Sequence, residues 1–210
     1  WTTGSAIMLD GTDLLVAGKR SDDALGGRFA TWRLSEAGQA VDGWGEGGIA
    51  FTDIPVSSVW DALLRPAGVL MAGWSFDGSK DIATMVALNN DGLLDTSFGQ
   101  GGVHRLDLGS EGGRHFRLLV DGQGRILSAS NVVTGGHDLL IVRYDQTGAR
   151  DTSFGEDGFV RISTTDEADA AITNEAVRDI LIDSEGRIVV AGWTLDASGK
   201  QNAMVIRICP

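Results

Sequence analysis

The sequence predicts an all-β fold made of about four copies of one four-stranded unit, and three observations carry that expectation. The segment Asp-Thr-Ser-Phe-Gly at Asp95 to Gly99 returns at Asp151 to Gly155 and, degraded, as Asp42-Gly43-Trp44-Gly45; the copies run on into Gly101-Gly102, Asp157-Gly158 and Gly47-Gly48. An apolar run ending in Ala-Gly or Ala-Ser places Ala17, Ala72, Ala129 and Ala191 at intervals of 55, 57 and 62 residues. A period of this size means one supersecondary unit per repeat, stable only when stacked on its neighbours. Thirty glycines against three prolines, without a collagen-type period, supply the positive-φ turns that many short strands need.

Composition bounds the function classes. A chain of 210 residues that is 42% hydrophobic buries a sizeable core. Its net charge of −12 argues against a nucleic-acid partner, because phosphate backbones are held by clustered Lys and Arg. No run approaches the roughly 18 apolar residues of a membrane-spanning helix, and no signal peptide is visible. The single cysteine, Cys209, rules out an intrachain disulfide framework and a cysteine-rich metal site. The chain begins at Trp1 rather than Met, which points to a processed protein or a piece of a longer one.

Each unit reads in the same order, over residues 4–53, 58–109, 114–165 and 176–210. A first strand (Asp61 to Leu64, Arg117 to Val120, Asp179 to Ile182) passes through a turn such as Asp121-Gly122-Gln123-Gly124 or Asp183-Ser184-Glu185-Gly186 into the second, which ends in Ala-Gly or Ala-Ser. Polar loops of differing sequence follow (Ser21 to Gly27, Phe76 to Lys80, Val132 to His137, Leu195 to Lys200). They lead to third strands at Phe29 to Leu34, Ile82 to Leu88, Leu139 to Tyr144 and Ala203 to Ile208, where Arg143 and Arg207 alternate with apolar residues and read as facing away from them. The repeated motif comes next, and a fourth strand closes the unit at Ile49 to Thr52, Val103 to Leu106 and Phe159 to Ile162. Four antiparallel strands in about 55 residues is the content of one β-propeller blade. The last unit stops after its third strand, while Trp1-Thr2-Thr3 stands where a fourth strand would lie and resembles Ile162-Ser163-Thr164-Thr165. Residues 1–3 are therefore expected to complete the last blade and remove open sheet edges; the competing reading is an excised part of a larger ring.

The strings Gly186-Arg187-Ile188-Val189-Val190-Ala191-Gly192, Val142-Arg143-Tyr144-Asp145 and Asp151 to Gly158 resemble the delta-60 repeat, a β-propeller repeat of bacterial, often secreted or surface-attached, proteins. The resemblance covers essentially the whole chain, strongly in units two to four and weakly in unit one. It implies a propeller-like fold and an extracellular or cell-envelope setting, with no catalytic motif to transfer.

Phe98, Phe154 and Trp44 recur once per unit, as residues packed between neighbouring blades would. Asp95 and Asp151 suit turns in which a carboxylate accepts an N–H two residues on. His104, His115 and His137 have no metal-type spacing, and no Gly-x-Ser-x-Gly, phosphate loop or His-Glu-x-x-His occurs, so no catalytic, metal or cofactor residue is assigned. Function should lie where the copies disagree. Trp74 and Trp193 follow the Ala-Gly of units two and four where Lys19 and Asn131 stand in the others, and Trp60 enters a first strand where His115 stands in the next unit. Asp61, Arg117, Arg178 and Asp179 lie on first strands, which in a propeller surround the axis; they suit either a polar channel mouth or a structural ion-pair ring. The leading expectation is a non-catalytic recognition or adhesion module that binds a glycan or cell-surface protein through variable loops and tryptophans. The alternative is a structural spacer or oligomerising domain, with homo-oligomers as partners. A third reading is a hydrolase or lyase with its site at the propeller axis.

Overall fold

A computed structural model describes residues 2–22, 26–133, 138–162, 175–195 and 198–209, and strands joined by turns account for its regular structure. Trp1, His137 and Ser163 to Thr165 lie outside the described residues. The chain divides into two compact units, Trp1–Asp107 and Leu108–Pro210. In the first, β1 (Thr2–Asp10), β2 (Asp13–Asp22), β3 (Gly26–Leu34) and β4 (Ile49–Phe51) form one antiparallel sheet in sequential order. A second sheet follows from β5 (Ser57–Arg65), β6 (Gly68–Phe76), β7 (Asp81–Leu88) and β8 (Val103–Arg105). In the second unit the third sheet comprises β9 (Gly113–Val120), β10 (Ile126–Val132), β11 (Leu139–Tyr144) and β12 (Phe159–Ile162). The fourth comprises β13 (Glu175–Ile182), β14 (Ile188–Leu195) and β15 (Gln201–Ile208). Each expected strand falls on one of these elements, with first strands longer than their apolar cores indicate.

One expectation is corrected. Thr2 and Thr3 do not supply a strand to the last sheet; they open β1, opposite Arg20 and Lys19 of β2. The reason is local: the β1–β2 hairpin keeps pairing past an irregularity at Ser5, so these residues extend the ladder that their own turn nucleates. Among the described residues the fourth sheet has three strands.

That irregularity recurs in every sheet. Pairing shifts between Gly4 and Ala6, between Val59 and Asp61, between Ala129 and Ser130 on the strand opposite Phe116, and between Val177 and Asp179. The extra residue is Ser5, Trp60, Phe116 or Arg178, always one place before the partner of the repeated alanine. A β-bulge bends the strand and tightens its twist, and in the first, second and fourth sheets it also dictates the next residue of the middle strand. A Cβ at Gly18, Gly73 or Gly192 would collide with the carbonyl oxygen of Thr3, Ser58 or Ala176. The glycine of Ala-Gly is thus a close-approach residue under the bulge.

Alternation gives each sheet two faces. Leu15, Ala17 and Phe29 of the first sheet pack with Val69, Met71, Val86 and Leu88 of the second in one buried cluster that also holds Trp44, Ala50 and Val59. By register, the first-sheet counterparts of Val69, Met71, Val86 and Leu88 are Leu14, Val16, Trp32 and Leu34. These four are only half-buried, and beside them Ile7 and Leu9 are 66% and 67% exposed. On the fourth sheet Leu181 and Val205 are 50% and 72% exposed, whereas Met85 and Ile141, the counterparts of Val205, are fully buried.

The bulge contact gives a direct prediction. Gly73→Ala should cost at least about 2 kcal/mol in denaturant unfolding, because the clash is with backbone. Gly122→Ala, where an added Cβ meets nothing, should stay within about 0.5 kcal/mol; equal costs would contradict the close-approach role.

Candidate functional site

The strongest polar constellation is a clamp of one guanidinium, one buried aromatic ring and one or two carboxylates, found in each of the first three sheets; Arg28 over Phe51 with Asp53, and Arg150 over Phe159 with Asp157, repeat the grouping on half-buried rings. In the third sheet Arg143 lies over the Phe154 ring, 4.6 Å from its centre, and its Nε donates to Asp151 at 2.8 Å. In the second, Arg65 lies 5.1 Å from the centre of Phe98 and pairs with Asp95 at 3.0 Å. In the first, Arg33 lies 5.5 Å from the centre of Trp44 and pairs with Asp13 at 2.9 Å and Asp10 at 3.0 Å. All three rings are buried, and Trp44 belongs to the cluster joining the first two sheets. A cation over an aromatic face is attracted by the ring quadrupole, the more strongly as water is excluded.

The backbone builds each clamp in the same way. The residue next to the end of the third strand (Arg33, Ala87, Arg143) donates its N–H to Gly48, Gly102 or Gly158 and accepts from residue 41, 95 or 151. The motif is thereby folded back over its strand. This corrects the expectation that Arg143 faces away from apolar neighbours: the returning motif puts Phe154 against it. Arg207 is exposed. Asp95 and Asp151 accept the N–H and hydroxyl of Ser97 and Ser153 at 3.1 and 2.6 Å in both copies, which is the expected turn. The Ser97 hydroxyl, then its N–H and Arg65, hold the Asp95 carboxyl below the usual range against burial; Ser153 and Arg143 do the same for Asp151. At Asp183 the N–H and guanidinium of Arg187 act likewise. Burial works to raise Asp121, but the guanidinium and N–H of Arg125 outweigh it.

The residues singled out by sequence fall elsewhere. Trp60 is the bulge residue of β5 and half-buried; Asp61 beside it accepts its neighbour Ala62's N–H at 2.8 Å. Trp74, also half-buried, stands opposite Ser58 and Ala83. In the second unit Arg117 donates to the Phe116 carbonyl at 2.7 Å, Arg178 is the exposed bulge residue, and exposed Asp179 accepts the Ile180 N–H at 2.9 Å. Trp193 is half-buried between Ala176 and Ala203. Bulge neighbours are brought together as Trp60–Asp61 and Arg178–Asp179. None of the seven lines the groove of about 300 Å³ beside Arg125, Arg143, Phe154 and Asp183, or that of about 190 Å³ beside Asp13, Arg33 and Trp44.

His115 is fully buried, with Nδ1 2.7 Å from the Ser130 hydroxyl and 2.6 Å from that of Ser128, and its ring lies edge-on to Tyr144. Burial holds the Tyr144 phenol well above its ordinary range. Ser130 stands where the other sheets carry the close-approach glycine, so this network replaces that contact in the third sheet. Cys209 is an exposed free thiol. Among the described residues no group of three or more His, Cys, Asp or Glu is placed to hold a metal ion. Nor, among the described residues, is any helix long and apolar enough to cross a membrane.

No family model matches the chain, and no curated protein matches its sequence. Among solved structures it is similar to a mannose phosphorylase from Leishmania mexicana, at 12% identity and a TM-score of 0.46, over 97% of this chain and 61% of that one. It is also similar to an endo-1,4-β-xylanase from Bacteroides thetaiotaomicron, at 10% identity and a TM-score of 0.37, over 98% of this chain and 94% of that one. The chain thus spans about three fifths of the phosphorylase's length. Neither likeness is close enough to bear on activity.

The clamps predict a pH dependence. Carboxylates lowered in the folded state stabilise it fully above about pH 4, the unfolded range, and that contribution is lost as pH falls through the lower folded values. Arg65→Met and Arg143→Met remove part of the lowering, so the fall in melting temperature between pH 7 and pH 2 should be smaller in each variant than in the wild type. Equal falls would contradict the clamps as the source.

Proposed function

We propose that the chain is a non-catalytic structural module, a run of β-propeller-type blades whose two terminal sheets take further sheets of the same kind. The observation that carries this reading is the pair of apolar faces left uncovered on the first and fourth sheets, at positions sealed elsewhere in the chain. Repeat units gain stability from nearest-neighbour interfaces, so an uncovered repeat face is an interface without its neighbour. The order of strands in each sheet and the recurrent bulge support the blade assignment. The carboxylates and guanidinia of the motif are engaged in clamps, which supports a scaffold over a reaction centre. The resemblance to delta-60 repeats favours an extracellular or envelope setting.

A chain carrying a second copy of residues 2–56 ahead of Thr2 tests this. It should melt in a single transition at a higher temperature than the parent chain, because the added sheet covers Ile7 and Leu9. An unchanged melting temperature with the extra segment unfolded would count against stacking.

A second reading, recognition of a glycan or protein surface, is favoured by the loop at Phe76. That ring is 41% exposed, and the adjoining turn is fixed by the Ser79 N–H and hydroxyl and the Lys80 N–H, all donating to Asp77. A rigid loop presenting an aromatic suits stacking on a sugar or anchoring a partner. A glycan-array screen should then show binding that Phe76→Ala abolishes; an empty array for the wild type would remove glycans from consideration.

A further inference from the structure

The stacking reading above leaves open what covers the two faces, and the register names a candidate. The first sheet presents Ile7, Leu9, Leu14, Val16, Trp32 and Leu34 at the positions where the second presents Ala62, Leu64, Val69, Met71, Val86 and Leu88. The second-sheet set is covered by Leu15, Ala17 and Phe29 of the sheet before it. The counterparts of Leu15, Ala17 and Phe29 on the fourth sheet are Val189, Ala191 and Ala203, and Val205 stands beside them where the first sheet has Thr31; all four are apolar and incompletely covered. We infer that the open face of the first sheet receives the open face of the fourth sheet from a second copy of this chain, head to tail.

The contact continues an interface that the chain already makes with itself, and one feature fixes its register. A groove of about 280 Å³ lies on the open face, lined by Thr2, Thr3, Gly4, Val16, Trp32 and Leu34. Between the first two sheets, Lys19 and the Ser57 carbonyl both lie against Gly27. Trp193 is the counterpart of Lys19, and Thr2 that of Ser57. The same register therefore brings the Trp193 indole of one copy to the mouth of the groove beside Trp32 of the other. A heterologous contact of this kind leaves one face of each type free, so assembly continues past the dimer unless it closes into a ring. Two terms weaken it: each copy carries a net charge of −12, and the described residues of the fourth sheet include no clamp. Association is thus concentration-dependent and promoted by screening.

Sedimentation of the 210-residue chain over a concentration series, in about 0.1 M and about 1 M NaCl, tests this, the higher salt shortening the screening length to about 3 Å. The wild type should associate as concentration rises, more strongly at high salt. Leu9→Glu and Val205→Glu, both at exposed positions where the far-ultraviolet circular dichroism should stay native, should each be monomeric. Mixing the two restores one intact contact, between the first sheet of the Val205 variant and the fourth sheet of the Leu9 variant, and should yield a heterodimer and nothing larger. A wild type that stays monomeric at both salts, a mixture that stays monomeric, or association that survives either substitution would overturn the inference. A monomeric wild type together with a stabilised chain carrying the extra copy of residues 2–56 would leave stacking standing and remove only the second copy as partner.

Discussion

One guanidinium held between an aromatic face and a carboxylate underlies each of the first three sheets. The arrangement persists while its sources change. Where the motif has Val41 in place of the carboxylate, Asp10 and Asp13 at the β1–β2 hairpin supply it; where the third strand has Ala87 in place of the arginine, Arg65 reaches in from the end of β5. What is maintained is the local field around a buried ring. A cation desolvated over an aromatic needs a carboxylate to remain favourable, and losing one partner would strand the other. The chain answers each loss from a neighbouring strand.

A second constraint is geometric. The bulges of the first, second and fourth sheets drive a carbonyl onto a glycine of the middle strand, whereas the third sheet carries Ser130 there with a buried histidine network. Bulge and clamp sit at different places along the strands. Between them lie the apolar faces, whose burial scales with the area removed from water. Those faces are the surfaces on which the proposed stacking would act.

Much of this is legible in the residues alone. β11 and β12 are bounded by turn residues and begin where the apolar pattern begins, and the Asp95 and Asp151 turns follow from a carboxylate two places before a serine. β1 is less legible, because Thr2-Thr3 looks like the tail of a fourth strand and only pairing with Lys19 and Arg20 settles its place. Arg143 reads as solvent-facing because alternation describes one strand, whereas its true neighbour, Phe154, arrives through a loop that returns over that strand. The clamps of the first two sheets are hidden for a related reason: Arg33 with Asp13, and Arg65 with Asp95, are 20 and 30 residues apart and share no motif. Trp60, Trp74 and Trp193 stand out by their irregular occurrence, yet two flank the repeated Ala-Gly and one fills a bulge, so their irregularity is also that of the scaffold.

The first and fourth sheets each leave an apolar face uncovered, and we propose that these faces await a neighbouring sheet. Amide hydrogen exchange in dilute solution tests it most directly. The account predicts slow exchange in β6, β7, β10 and β11, and exchange faster by orders of magnitude in β2, β3, β14 and β15, where one face is uncovered. Equal protection across all eight strands would contradict it.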